Sequence, residues 1–364
     1  MMMMTTRVVV VRVDESRACG PQTPELAFVA ASPEMLEEFL VDVAKENENH
    51  LLKLPQHAGS FKKLRLIEFV FLLCEQLGLH HVTRYQAVEI LDRFMIQYID
   101  KLYSSTCPGS DKDTEKNDWT LTQITIQEHF VLRIMSCVQI ASKISFHYQI
   151  VNNDMALKFL QSLGYSYKRE DLLDSELLVL KTLNFQVNVP TPFTHTEILL
   201  EVMGKYEFHN VYLFDCTCEK SLEITCFYKV INTFFTFNCF EHNLMLFLGY
   251  NDPSVPVKYL HNISLKVLTF VYLMRNTIYE NLLKIAIENS TPTDLQRAKF
   301  LSVKEDCMLL AVGVIGTSAF ILNYTPWCKV VQQLASISGV TEESISEFSQ
   351  VILKQIFPGA SHLK

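Results

Sequence analysis

From residue 61 onward the apolar residues of this chain recur on a three-then-four step, and no stretch sustains the two-residue alternation of a half-buried strand. That periodicity predicts an all-α protein. Its clearest instance is residues 84–102, where Ala87, Ile90, Leu91, Phe94, Met95, Tyr98 and Leu102 make one apolar stripe. Residues 131–144 differ, because Ile134, Met135, Val138, Ile140 and Ala141 leave no wide polar face; a helix of that kind belongs at the centre of a bundle. Between the two, residues 104–117 are polar and carry Pro108 and Gly109, which reads as a mobile loop.

Local punctuation sets the remaining boundaries. Ser32 and Pro33 open a helix whose apolar face is Met35, Phe39, Leu40 and Val43, with Glu34, Glu37 and Glu38 at the positive end of its dipole. Residues 63–76 form a helix that Gly78 ends. Helices follow over 155–163 and 172–183, and after Pro190-Thr191-Pro192 a helix capped by Thr191 reaches Met203. A second unit comprises 263–274, 304–322, 327–338 and 341–356, the last opened by Thr341. The expected organisation is a disordered arm over 1–31, a helical unit with a preceding helix over 32–204, an interruption over 205–249, a second unit over 250–358 and a tail over 359–364.

Composition narrows the class of function. The 364 residues are 49% hydrophobic and 20% charged, which excludes a disordered or collagenous chain and allows two ordinary cores. A net charge of -8 opposes direct nucleic-acid binding, since phosphate recognition relies on a basic field. Without a recognisable secretory leader, the ten cysteines are expected to be mostly free in a reducing compartment, the cytosol or nucleus. There is no Gly-rich phosphate loop, nucleophile elbow or His-Glu-x-x-His helix, so no enzymatic activity or cofactor is expected. His80-His81 reads as a surface pair whose rings do not face each other, if both lie on a helix.

Three segments in order carry a resemblance. Asp92-Arg93-Phe94-Met95 is similar to the Asp-Arg-Phe-Leu signature of the cyclin box, and Val138-Gln139-Ile140-Ala141-Ser142-Lys143 resembles the run ending in Ala-Ser-Lys on its buried third helix. Glu176 to Phe185, followed by Pro190-Thr191-Pro192, resembles its fourth helix and exit. A looser match in the second half, through Ala319-Phe320, Trp327 and Thr341-Glu342-Glu343-Ser344-Ile345, implies tandem cyclin-box bundles. Residues 68–73, 85–91 and 300–315 further resemble a cyclin-like family implicated in meiotic crossover maturation. That resemblance implies a nuclear protein, associated with meiotic chromosomes, whose partners are a cyclin-dependent kinase and crossover proteins; no membrane association is expected. An atypical cyclin that does not activate its kinase, and a two-box transcription factor, are the alternatives.

The resemblance also implies roles for single residues. Lys143 and Glu176 fall where cyclins reach the kinase's mobile helix, and a rigid helix face there can bias that two-state element. Without the resemblance they read as a helix C-terminal cation and a solvated charge. Lys63 takes the place of an arginine that pairs with the signature aspartate, here Asp92, and Phe69 that of a docking-patch tryptophan. Lys62 and Arg65 stand where that patch is apolar and Leu72 replaces its acid, so patch docking is not expected. After Lys143 come Ile144, Ser145 and Phe146 instead of acids, which weakens the case for ordinary kinase activation.

The interruption is compositionally separate. Its 45 residues hold eight of the 24 Phe and four of the ten Cys. Cys216, Cys218, Cys226 and Cys239 with His209 and His242 lack the paired spacing of a zinc module. The expectation is an aberrant insertion, a retained in-frame intron whose pyrimidine-rich codons would yield Phe, Leu and Cys, with Gly204 joining Tyr250 in the uninterrupted chain; a genuine insertion would instead be an apolar lid with a helix over 222–240.

Overall fold

A computed structural model describes residues 32–54, 60–106, 112–145, 149–207, 255–322 and 327–357. The arm over 1–31, nearly all of the 205–249 interruption and the 359–364 tail lie outside the described residues. Every regular element among the described residues is an α-helix: α1 (Pro33–Leu52), α2 (Leu64–Gln76), α3 (His81–Thr106), α4 (Lys112–Ile144), α5 (Asn153–Ser162), α6 (Arg169–Thr182), α7 (Pro192–Glu207), α8 (Val255–Ala286), α9 (Asp294–Lys299), α10 (Leu301–Glu305), α11 (Cys307–Leu322), α12 (Trp327–Ser338) and α13 (Glu342–Ile356).

Two bundles arise because two helices are apolar on all sides. The C-terminal half of α4 buries Leu132, Ile134, Met135, Val138, Ile140 and Ala141 against α3 and α6. α11 is buried along nearly its whole length among α7, α8, α12 and α13. Its glycines set how close α13 can come. A Cβ on Gly313 would lie 2.5 Å from Phe348 Cδ1, and one on Gly316 2.6 Å from Ser349 Oγ. The caps follow the chemistry of the sequence: Met35 N donates to Ser32 Oγ at 3.3 Å, Thr194 N to Thr191 Oγ1 at 3.3 Å and Ser344 N to Thr341 Oγ1 at 3.2 Å. Gly78 ends α2 in the left-handed region at φ 65°.

Four expectations are corrected. The polar stretch expected as a loop over 104–117 is helical at both ends, since α3 continues to Thr106 and α4 begins at Lys112, with 107–111 outside the described residues. α1 buries Leu36, Leu40 and Val43, leaving Met35 and Phe39 exposed. The i, i+4, i+7 row that faces the protein is thus rotated from the expected one. α7 packs chiefly on α11 and α1, so its side chains belong to the second bundle, not the first. The helix expected over 304–322 breaks at Asp306, whose Oδ1 caps Leu309 N at 3.0 Å and accepts from Asn47 Nδ2 at 2.9 Å.

The bundles meet through aromatic rings. Tyr85 on α3 lies 5.5 Å from Phe193 of α7 and 5.2 Å from Tyr272 of α8, and its hydroxyl pairs with Thr269 Oγ1 at 2.7 Å. The Arg84 guanidinium covers the Phe71 and Tyr85 rings at 4.9 Å. His80 and His81 do face each other, with ring centroids 4.0 Å apart, because His80 precedes the helix instead of lying on it. Cys74, Cys137, Cys307 and Cys328 are all free thiols. Burial pushes the Cys74 thiol up to about 12, so it stays protonated and inert.

Candidate functional site: the α4–α6 face and the charge cluster behind it

Lys143 ends α4, where a cation is favoured by the helix dipole. The turn it occupies is fixed from within. Ser142 Oγ donates to Gln139 O at 2.8 Å and accepts from Val151 N at 3.1 Å, while Gln139 Nε2 donates to Asn153 Oδ1 at 3.1 Å. Glu176 projects from α6, which is locked to α4 by Ser136 Oγ donating to Ser175 Oγ at 2.6 Å. The two expected partner-binding residues come together: Lys143 Nζ donates to Glu176 Oε1. The lysine side chain remains 42% exposed and the glutamate 12%. This is a surface-edge ion pair held by two rigid helices.

Exposed apolar side chains accompany the pair on α6 and just past its end. Leu173 and Leu177 lie one helical turn apart on α6, flanking Glu176, and are 45% and 42% exposed. Past the end of α6, Asn184 and Phe185 both adopt positive φ, 50° and 61°. The left-handed region costs a bulky residue about 1–2 kcal/mol. The result is that the Phe185 side chain stands out from the bundle, 64% exposed. Sequence reasoning found Lys143 and Glu176 but missed Phe185, although the Leu183-Asn184-Phe185 exit carried the signal in Asn184, a residue that tolerates left-handed φ.

The signature aspartate has a different partner from the one expected. Lys63 is the extended N-cap residue of α2, and its side chain points to solvent. Successive side chains of an extended segment point to opposite sides, so it is Lys62 that turns inward. Lys62 Nζ lies 2.7 Å from Glu305 Oε2, 2.8 Å from Glu89 Oε2 and 3.7 Å from Asp92 Oδ2. Lys62 is therefore buried among three carboxylates. Asp92 Oδ1 also accepts from Phe61 N at 2.5 Å and Ser60 Oγ at 3.2 Å.

The cluster extends across both bundles. Glu89 accepts from the Tyr272 hydroxyl at 2.7 Å, and Glu305 pairs with Arg275 at 3.1 Å. Burial penalises the Glu305 carboxylate, yet Lys62 and Arg275 together hold it down to about 2. Burial raises the Asp92 carboxyl, against the pull of Lys62. Arg93, the next residue of the signature, donates to Gln186 O at 2.8 Å and so ties α3 to the exit of α6. Phe69 is half-buried against the first core, a packing residue of α2.

Among the described residues no group of three His, Cys, Asp or Glu side chains is placed to hold a metal ion, and the cysteines and histidines of 205–249 lie outside them. No single helix among the described residues is long and apolar enough to cross a membrane.

Comparison with known proteins places this architecture. No family model matches the chain. Cyclin N-terminal domain-containing protein 1 of Mus musculus is 42% identical over 341 residues, covering 92% of this chain and 89% of that protein. The Homo sapiens protein of the same name is 40% identical over 341 residues, covering 92% and 90%. G2/mitotic-specific cyclin-B3 of Gallus gallus is 26% identical over 128 residues, which cover 35% of this chain and 25% of that protein. With all-α bundles and two relatives above 40% or at it over nearly full length, the chain belongs to the cyclin N-terminal domain-containing protein 1 family.

Proposed function

We propose that this protein is a non-enzymatic, cyclin-like regulatory subunit that binds a cyclin-dependent kinase through the α4–α6 face and promotes crossover maturation on meiotic chromosomes in the nucleus. The observation that carries the kinase reading is the Lys143–Glu176 pair, with exposed Leu173 and Leu177 beside Glu176 on α6 and exposed Phe185 past the end of the same helix. An apolar surface with charged anchors at its centre is what a helix of a partner kinase would dock against. The chicken relative, named a mitotic cyclin, supports a kinase as the kind of partner. The crossover role rests on the resemblance of residues 68–73, 85–91 and 300–315. The net charge of -8 supports partners that are proteins and not nucleic acid.

A second reading, binding without activation, has its own support. Residues 144 and 145 are Ile and Ser where cyclins carry acids, and the Ser145 hydroxyl turns back to Ala141 O at 2.5 Å. A pull-down of the full chain with a cyclin-dependent kinase, comparing Lys143→Glu and Glu176→Lys, tests docking. Strong capture that ignores both reversals contradicts it. A peptide-phosphorylation assay on the captured kinase separates the two readings, since the second gives binding with no gain in rate.

A further inference from the structure

Midway along α4, the packing of α3 with α4 leaves a cavity of about 80 Å³ lined by Met95, Tyr98, Thr125, Ile126, His129 and Arg133. Sites for cofactors and drug-sized ligands occupy roughly 300–1,000 Å³. This cavity has room for one side chain only. Its floor is apolar, from Met95 and Ile126, and its one formal cation is Arg133. Arg133 is half-buried and has no ion-pair partner among the described residues. Its guanidinium is therefore open to a carboxylate from outside the chain.

The surface beside the cavity is also unpartnered. Leu121 and Ile124 of α4 are 64% and 46% exposed, and Leu121 lies one turn before Thr125 on the same side of the helix.

We infer that this cavity is an anchor site for an acidic peptide segment of a partner protein, whose Glu or Asp side chain enters it and pairs with Arg133 while an apolar residue one helical turn away covers Leu121 and Ile124. The guanidinium fork matches a carboxylate in two parallel hydrogen bonds, which an ammonium does not. Tyr98 also lines the cavity, and a phenol hydroxyl can donate to an entering carboxylate. Arg133 and Lys143 are ten residues apart on one helix, about 15 Å. The acidic peptide therefore binds without displacing anything at the α4–α6 face, and its binding does not depend on the kinase reading.

The test uses the full chain with carbon-13 methyl groups on Met and Ile, titrated with the blocked peptide acetyl-Glu-Ala-Ala-Leu-Leu-amide. Counterparts carry Gln or phosphoserine in place of Glu. The expected result is a saturable shift of the Met95 and Ile126 methyl signals with the Glu peptide, at least tenfold weaker with the Gln peptide. Arg133→Gln abolishes the preference for Glu over Gln, and Tyr98→Phe weakens Glu binding a fewfold. The Glu–Gln comparison needs no variant and holds even if a substitution unfolds the chain. Equal binding of Glu and Gln peptides, unchanged Glu binding in a folded Arg133→Gln protein, binding of the phosphoserine peptide alone, or no shift of either methyl at millimolar peptide overturns the inference.

Discussion

Lys62 of the first bundle and Glu305 of the second are joined by a buried 2.7 Å ion pair, so a residue just ahead of α2 reports on the docking of two helical bundles. The lysine is 5% exposed and answers three carboxylates at once. Removing it leaves Glu89, Asp92 and Glu305 without their shared cation in a low-dielectric interior, where Arg275 pairs with Glu305. Breaking a buried pair from one side costs about 3–5 kcal/mol. Lys62→Met is expected to lower unfolding stability by that amount in urea denaturation, while Lys63→Met changes it by less than about 0.5 kcal/mol, as for other surface positions. Equal effects at 62 and 63 would contradict the assignment of the buried lysine.

The same cluster predicts acid sensitivity. Glu305 has a folded-state value near 2, below the usual carboxylate value of 4.5. A depressed acid contributes stability that is present above 4.5 and is lost as pH falls from 4.5 towards 2. Urea midpoints of the wild type should fall through that window. In Glu305→Gln, already less stable at neutral pH, the fall is shallower.

A milder loss begins nearer neutrality. His195 on α7 is buried, its Nδ1 bonded to Thr191 O at 2.8 Å, and burial lowers its pKa from 6.5. A histidine held neutral in the folded state is protonated more readily in the unfolded chain. Stability is therefore complete above 6.5 and declines as pH drops below it. His195→Asn should flatten the pH dependence of the melting temperature between about 6.5 and 5 without changing its sign at lower pH.

Where α11 and α13 cross, Gly313 has no room for a methyl group, since Phe348 Cδ1 would lie 2.5 Å from it. Overpacking of this kind costs about 1–3 kcal/mol. Gly313→Ala should destabilise by that much, and adding Phe348→Leu should recover part of the loss. A neutral Gly313→Ala measured by calorimetry would mean that the helices do not cross so closely.

At Phe185 stability and binding should part company. The side chain is 64% exposed, and its φ of 61° suits glycine better than phenylalanine. Phe185→Gly is expected to leave stability unchanged or raise it by up to about 1 kcal/mol, and to weaken kinase capture. A large loss of stability would show that Phe185 packs on the bundle and is not a docking residue.

Much of this was legible in the sequence because it depends on local chemistry. The helix types, the caps at Ser32, Thr191 and Thr341, and the two uniformly apolar helices follow from residue spacing and hydroxyl placement. The encounter of Lys143 with Glu176 was readable as a pair of motif positions, though not as an ion pair. What escaped depends on choices between neighbours. Whether Lys62 or Lys63 turns inward is decided by one extended residue ahead of α2, and composition is identical for both. Likewise Leu36 displaces Met35 from the inner face of α1 because α1 lies against α7 and α11, contacts that no local pattern encodes. Residues 112–117 of α4 read as a loop because they are polar and carry no apolar stripe of their own.

The central claim is that Lys143 and Glu176 serve a partner and not only each other. Binding of a cyclin-dependent kinase to the full chain, measured by calorimetry beside the melting temperature, tests it in the double variant Lys143→Glu with Glu176→Lys. The swap restores the internal ion pair with its charges exchanged. The account predicts a melting temperature close to wild type and kinase affinity reduced at least tenfold. Wild-type affinity in the swapped protein would contradict it, and would leave the pair as a clasp between α4 and α6.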